Sequence, residues 1–311
     1  MQMQPLKQLS SEPSASMSTD KLRLTLPTGR MHGKVLALLE QIGLKFLSDG
    51  RSYRPRCSDT LIEAKMLKAQ NIPGLVSLGR HDCGFTGHDW IVEQHADVVE
   101  LLDLSFDPVK IVAAMPEVLG NFNALRKANS ARPLVVASEY RHLANIFIEK
   151  WDLDAIFVQA YGATEALPPE DADIVIDNTS SGTTLHHNRL VVVDEIMQSS
   201  TRFICNKNVL ADPAKRAKLE ELTMLMKSTI QARSKVFLEM NVASEHFEQV
   251  VQGLPSMKAP TISQLYNCNG FAIKIAVDAE QVPSLIPKLL MLGARDILEY
   301  KVEKIINKVS L

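Results

Sequence analysis

The chain has 311 residues, 46% of them hydrophobic, enough for a sizeable core and for two or three domains. Lys and Arg number 34 against 36 Asp and Glu, and the net charge of −2 excludes the broad basic surface of a nucleic-acid binder. Four scattered cysteines without metal-ligand spacing point to free thiols in a reducing cytoplasm, and no apolar stretch reaches membrane length.

Met1 to Asp20 is rich in Ser, Gln, Met and Pro and lacks an apolar core segment, so it reads as a disordered extension rather than a secretory signal. Lys21 to Leu26 alternates as a half-buried strand. Pro27-Thr28-Gly29-Arg30 turns it into a helix from Met31 to Ile42, closed by Gly43. That turn sets Arg30 near a helix N-terminus, where free N–H groups suit an anion; a plain surface Arg is the alternative. Arg51-Ser52-Tyr53-Arg54-Pro55-Arg56 is a basic cluster with one aromatic, fit to grip a nucleotide or simply to be solvated. Leu61 to Ala69 reads as a helix, Asn71-Ile72-Pro73-Gly74 as a break, and Cys83 to Trp90 as a Gly-punctuated strand-to-helix turn holding Thr86, Gly87 and Asp89. Val98 to Leu104 and Lys110 to Met115 are strand candidates.

Pro133 to Ser138 and Ala155 to Gln159 are further strands around a helix from Leu143 to Lys150, and a third Gly turn runs from Tyr161 to Glu165. The stretch Ile174 to Leu185 follows. An apolar, β-branched run ends in Asp177, and after Asn178 come five hydroxyl residues interrupted by Gly182: Thr179, Ser180, Ser181, Thr183 and Thr184. A buried strand opening into such a turn offers a nest of N–H groups and neutral hydroxyl donors to a phosphate, while Asp177 suits sugar hydroxyls or a metal. No Lys follows the Gly, so this is not a Walker loop. An ordinary Ser/Thr-rich turn capping a helix stays equally open on these residues alone.

Leu190 to Ser200 and Arg202 to Asn206 are strand-like, and Pro213 to Ala232 is a long amphipathic helix. From Lys235 onward the order strand, helix, strand, strand, helix, strand is that of a ferredoxin-like split βαβ unit without a catalytic cluster. The fold class is therefore α/β.

The motifs together resemble the long form of the ATP phosphoribosyltransferases that open histidine biosynthesis. Leu26-Pro27-Thr28-Gly29-Arg30 is similar to that family's L-P-x-G-R, and Cys83-Gly84-Phe85-Thr86-Gly87-His88-Asp89 to its x-G-I-T-G-x-D. Val99 to Phe106 matches V-x-E-L-L-D-L-G-F in type, and Gly162-Ala163-Thr164-Glu165 looks like G-S/A-x-E. Ser181 to Leu190 resembles S/T-G-x-T-L-x-x-N-G-L. Ala259-Pro260-Thr261 and Gly293 to Leu298 resemble segments of the family's regulatory domain. The chain departs from the pattern at Thr28, where Lys is common, at Thr179, where Val is customary, and at Arg189, where Gly is usual.

The resemblance implies two periplasmic-binding-protein-like α/β lobes, 21–107 with 191–232 and 108–190, followed by a C-terminal ferredoxin-like βαββαβ regulatory domain, 235–311. It implies attack of adenine N1 of ATP on C1 of 5-phosphoribosyl pyrophosphate (PRPP), with pyrophosphate leaving and Mg²⁺ bound mainly through PRPP, with Glu165 or Asp177 as its protein contact. Glu165 and Asp177 would serve catalysis, and Asp177 with Thr179, Ser180, Ser181, Gly182, Thr183 and Thr184 would hold PRPP. Arg30, Arg51, Arg54, Thr86, Gly87 and Asp89 would serve ATP or pyrophosphate. Asn241, Thr261 and Ala294 would bind histidine as inhibitor, in a homodimer that converts to a homohexamer. A type I phosphoribosyltransferase acting on a free base, and a non-catalytic two-lobed binding protein, are the competing readings. The first expects a second acid where Asn178 stands; the second takes its support from Thr28.

Overall fold

The computed structural model describes residues 21–306 apart from 49, 51, 129–130 and 256–258. The first lobe is built on a sheet ordered β4-β1-β5-β12-β6. Its strands are β1 (Leu22–Thr28), β4 (Ile62–Lys68), β5 (Cys83–Gly87), β6 (Val98–Asp103) and β12 (Thr201–Asn206). A short ribbon of β2 (Phe46–Leu47) and β3 (Arg56–Cys57) stands beside it. β1 pairs in parallel with both β4 and β5, so the carboxyl ends of these three strands lie along one edge.

Two elements of the first lobe differ from the sequence reading. Ile72-Pro73-Gly74, read as part of a break, opens the helix Ile72–Ser77, where Pro is tolerated in the first turn. The other is a strand. The segment 61–69, rich in helix formers, is strand β4, in register with β1 from Leu22↔Ile62 to Thr28↔Lys68. Pairing along all seven residues, with Ile62 and Ala64 buried, overrides the weak local preference for helix.

The second lobe holds a sheet ordered β11-β7-β10-β8-β9. Its strands are β7 (Val109–Pro116), β8 (Leu134–Ser138), β9 (Ala155–Gln159), β10 (Ile174–Thr179) and β11 (Leu190–Ser199). The sequence places the return to the first lobe at residue 191. β11 instead runs antiparallel to β7 over its whole length, so the chain crosses back only at Ser200. Local sequence carries no signal for this, because β11 and β12 look alike as isolated strands. Its apolar residues Val193, Ile196 and Met197 pack on the second lobe's core.

Helices α1 (His32–Gln41), α2 (Ile72–Ser77), α3 (His88–Glu93) and α7 (Pro213–Ala232) belong with the first sheet; α4 (Phe122–Ala128), α5 (Arg141–Lys150) and α6 (Thr183–His187) belong with the second. Val35, Leu38 and Leu39 of α1 and Leu219, Leu222 and Met226 of α7 complete one core with Leu22, Leu24 and Leu26. The spacing of these residues is the helical stripe read from the sequence.

A buried ion cluster pins α7 to the sheet. Asp82, 1% exposed, accepts from Arg23 Nη2 at 2.6 Å, from the Arg23 backbone N at 2.8 Å and from Lys215 Nζ at 2.9 Å. Burial pushes its pKa up, but the hydrogen bonds from Arg23 and Lys215 outweigh it and hold the carboxyl below its usual range. Asp82→Ala leaves two cations without their partner and is expected to cost about 3–5 kcal/mol, read as a lower denaturant midpoint at unchanged slope.

The C-terminal unit has a sheet ordered β14-β15-β13-β16: β13 (Lys235–Ala243), β14 (Thr261–Gln264), β15 (Gly270–Asp278) and β16 (Ala294–Lys301). Helices α8 (Phe247–Gly253) and α9 (Val282–Met291) cover the face formed by Val236, Leu238, Met240 and Val242. The βαββαβ order is the one read from the sequence.

Candidate active site

Open α/β sheets bind ligands beyond the carboxyl ends of their strands. Here β1, β4 and β5 of one lobe and β8 and β10 of the other end at a common cleft. The cleft has two adjoining chambers of about 400 and 300 Å³, within the range of small-molecule sites. Arg30 and Asn178 form part of both walls and mark the junction.

The smaller chamber is the Asp177–Leu185 stretch folded around itself, faced by Glu165 and Arg30. β10 is buried from Ile174 to Ile176 and emerges at Asp177. Gly182 takes a left-handed φ of 77° and hands the chain to α6. The loop is held by Thr179 Oγ1, which accepts from the Gly182 N–H at 3.0 Å, and by a 2.8 Å hydrogen bond between Ser181 and Thr183 hydroxyls. The result is a wall of hydroxyls and backbone amides with no cation of its own.

Asp177 accepts from the Asn178 N–H at 2.6 Å. Burial is the main reason that its pKa rises to about 6, and the negative charges of Glu165 and Glu139 add to the rise against the Asn178 hydrogen bond. Glu165 stands on a 3₁₀ turn after Gly162 and Ala163, both in left-handed backbone at φ 97° and 47°.

The larger chamber has an aromatic floor. Trp90 and Tyr140 stack at 4.4 Å across the lobes, and Tyr140 OH donates to Asp89 Oδ2 at 2.8 Å. Ser199 Oγ donates to the other Asp89 oxygen at 2.6 Å. Asn178 Nδ2 donates to Tyr140 OH at 3.4 Å, which ties the phosphate-type loop to this network. A further inter-lobe contact joins Gln70 Nε2 to Glu139 Oε2 at 3.1 Å. Burial and the Asp89 charge push the Tyr140 pKa up, so the phenol stays a donor.

Not every residue expected at the cleft reaches it. Asp89 lines it and is 4% exposed. Gly87 serves by its size, since a Cβ there would lie 2.1 Å from Asp89 Oδ1. Thr86 is buried and donates to the Ala69 carbonyl at 2.9 Å, so its hydroxyl positions the β4 end instead of facing a ligand. Arg54 pairs with Glu63 at 2.8 Å near the start of β4, at the far end of the strand from the cleft, and is absent from the cleft wall. Arg51 lies outside the described residues.

Lys68 and Tyr140 were not expected from sequence. Lys68 ends β4 directly beside Thr28 in the β1–β4 register, is exposed, and lines the larger chamber with Arg30. Its signal was its place at a strand end, hidden once 61–69 is read as helix. In the C-terminal unit, Asn241 sits on central β13 and donates to Asp296 Oδ2 at 3.0 Å, Ala294 is 2% exposed opposite Val242, and Thr261 lies two strands away on the edge strand β14. The three do not converge within one chain.

A family model described as ATP phosphoribosyltransferase matches residues 68–228, and one described as HisG, C-terminal domain, matches residues 232–304. The ATP phosphoribosyltransferase of Prosthecochloris aestuarii is 35% identical over 297 residues, covering 94% of this chain and 100% of its own. That of Pelotomaculum thermopropionicum is 36% identical over 291 residues, covering 92% and 99%. The solved ATP phosphoribosyl transferase (HisG:HisZ) complex from Thermotoga maritima shares the fold at a TM-score of 0.57 and 22% identity, over 66% of this chain and 98% of that one.

Proposed function

The chain belongs to the ATP phosphoribosyltransferase family in its long form, and we propose that the two chambers divide its substrates, the ribose 5-phosphate of PRPP in the smaller and ATP in the larger, with the pyrophosphate of PRPP reaching past Arg30 to Lys68 on the larger chamber's wall. The enzyme catalyses the first step of histidine biosynthesis, the transfer of the phosphoribosyl group of PRPP to ATP. The observation that carries the division is the shared wall: Arg30 and Asn178 bound both chambers, so a base in one meets an anomeric carbon in the other.

Adenine N1 is nucleophilic enough to attack C1 without a strong base. The barrier lies in the cationic ribose and in the charge of the leaving pyrophosphate, so catalysis rests on positioning and electrostatics. Residues 179–184 hold the 5-phosphate with amides and hydroxyls. Asp177 accepts from the ribose hydroxyls and, when ionised, stabilises the positive charge growing on the ring. Arg30 and Lys68 face the pyrophosphate, Lys68 standing in for the cation that Thr28 does not supply. Trp90, half-buried and backed by the stacked ring of Tyr140, offers apolar surface to adenine.

The family needs a divalent metal, and we take it to be Mg²⁺ entering with PRPP. Glu165 and Asp177 fit such an ion: their mutual repulsion, which helps to raise the Asp177 pKa, is relieved by a cation beside them. One or two carboxylates plus substrate phosphates are the usual Mg²⁺ donor set. When bound, the ion neutralises charge on the leaving pyrophosphate.

We further propose histidine as a feedback inhibitor at an interface between C-terminal units near Asn241, Thr261 and Ala294, a dimer that converts to a hexamer, and a cytoplasmic setting. Among the described residues no helix is long and apolar enough to cross a membrane.

Two results test the assignment. With ATP, PRPP and Mg²⁺ the enzyme should form phosphoribosyl-ATP, followed by absorbance; no product at high enzyme concentration overturns it. With an Asp177 pKa of about 6, the ionised fraction grows about tenfold from pH 5 to pH 7, and kcat/KM for PRPP should rise by about that factor. Asp177→Asn should flatten this limb.

A further inference from the structure

Three acidic residues belong to the wall of the larger chamber: Asp89, Asp107 and Glu139. Two of them are already engaged. The oxygens of Asp89 accept from Ser199 and Tyr140. Asp107 accepts from Lys34 through Oδ1, and its Oδ2 is enclosed. Glu139 differs. It follows the end of β8 and precedes the buried Tyr140. Gln159 Nε2 donates to its backbone carbonyl at 3.1 Å and fixes the main chain there. The side chain reaches the other lobe, where Oε2 accepts from Gln70 Nε2, and Gln70 is itself part of the chamber wall. The other oxygen, Oε1, is not enclosed and accepts no hydrogen bond from the described residues. The carboxylate is near enough to the junction of the chambers for its charge to act on Asp177. One oxygen is thus anchored and the other is an accessible acceptor, held in place before a ligand arrives.

We propose that Glu139 accepts a hydrogen bond from the 6-amino group of bound ATP, selecting adenine and stabilising the charge that the base acquires in the reaction; this rests on the assignment of ATP to the larger chamber. For N1 to meet the anomeric carbon, the base must lie with its N1 edge toward the junction. The 6-amino group adjoins N1 and arrives at the same end, where Glu139 stands. A carboxylate accepts only from N–H or O–H groups, and this amine is the donor on that edge of adenine. As the bond from N1 to C1 forms, the bond from C1 to the pyrophosphate oxygen breaks, and its electron pair leaves with pyrophosphate. The base gains a positive charge, shared between N1 and the amine nitrogen as in an amidinium ion. A neutral acceptor, such as the side-chain carbonyl of Asn178 or Gln70, responds weakly to that change. A carboxylate binds the amine more strongly as the charge grows, and an interaction that strengthens toward the transition state raises the rate.

The test uses the full-length protein with ATP and with purine riboside triphosphate, which keeps N1 and lacks the amine. Calorimetric titration should show the wild type binding ATP about tenfold more tightly than the analogue, the usual effect of one hydrogen bond to a charged group. Glu139→Leu, of similar bulk without an acceptor, should bind the two nucleotides alike, at about the analogue's affinity, and its PRPP affinity should not fall. Glu139→Gln keeps a neutral acceptor. It should recover part of the ATP affinity, while its single-turnover rate of phosphoribosyl-ATP formation stays about tenfold or more below wild type. That split separates charge stabilisation from a merely structural loss. Equal wild-type affinity for the two nucleotides overturns the proposal, as does discrimination that survives in Glu139→Leu or a wild-type rate in Glu139→Gln. A loss of PRPP affinity in place of ATP affinity overturns it as well. The parent assignment fails separately. Trp90→Leu alters the chamber wall and should weaken ATP and the analogue alike. Nucleotide affinity unmoved by that change takes ATP out of the larger chamber, whereas weakened binding there with indifferent Glu139 variants removes this proposal alone.

Discussion

Replacing Lys68 with Met should lower kcat/KM for PRPP by about a hundredfold or more, the usual effect of removing one electrostatic contact to developing charge. The side chain has no ion pair among the described residues, stands exposed at the cleft wall, and adjoins Thr28, where the family commonly carries Lys. A positive charge on the neighbouring strand end can meet the same pyrophosphate as one on β1, because the two Cα positions are partners in the parallel register. The measured pattern should separate this role from a structural one. The melting temperature should be unchanged, since an exposed Lys contributes little to folding. Lys68→Arg should recover most of the activity, and Thr28→Lys in the Lys68→Met background should recover part of it. Steady-state kinetics with varied PRPP decide the matter: a variant with wild-type kcat/KM places the leaving group elsewhere.

Gly182→Val should be the other severe change. Gly182 is at φ 77°, where left-handed backbone costs an L-residue about 1–2 kcal/mol and is a genuine outlier for a β-branched one. There is open space around a Cβ at this position, so no clash is involved. The variant relieves the strain by shifting the loop, which breaks the Thr179–Gly182 hydrogen bond and turns the amides away from the phosphate. KM for PRPP should rise at least tenfold with a fall in kcat, while ATP affinity, held by the other chamber, stays close to wild type. Titration of each substrate separately checks this; a loss of ATP binding equal to that of PRPP contradicts the division of the cleft.

The elements legible in sequence were those with a strong period and a marked end. The apolar run Ile174–Ile176 stops at Asp177 because the strand leaves the core there, and polarity reports that change directly. Helix α7 was legible because Leu219, Leu222 and Met226 repeat at helical spacing. β4 was not, since Glu63, Ala64, Lys65, Met66 and Leu67 favour a helix until β1 lies alongside. The place of β11 depends on a partner, β7, that local sequence does not name.

The site was legible where chemistry is local and hidden where it is tertiary. Residues 177–184 hold a phosphate-type loop in one stretch. Thr86 had the same residue type but spends its hydroxyl on Ala69, and Arg54 had the right charge but meets Glu63. Tyr140, alone between Glu139 and Arg141, carries no local sign that it will cross to Asp89. Arg189 and Ser105, at φ 54° each, stand where the family pattern has Gly; the backbone keeps the left-handed turn although the side chain has changed.

The most direct test of the divided cleft is a crystal structure with PRPP and Mg²⁺ bound. The 5-phosphate should sit within hydrogen-bond reach of the amides and hydroxyls of residues 179–184, the ribose hydroxyls at Asp177, and the pyrophosphate towards Arg30 and Lys68. The pyrophosphate seated in the 179–184 loop, with the 5-phosphate beside Lys68, would contradict it.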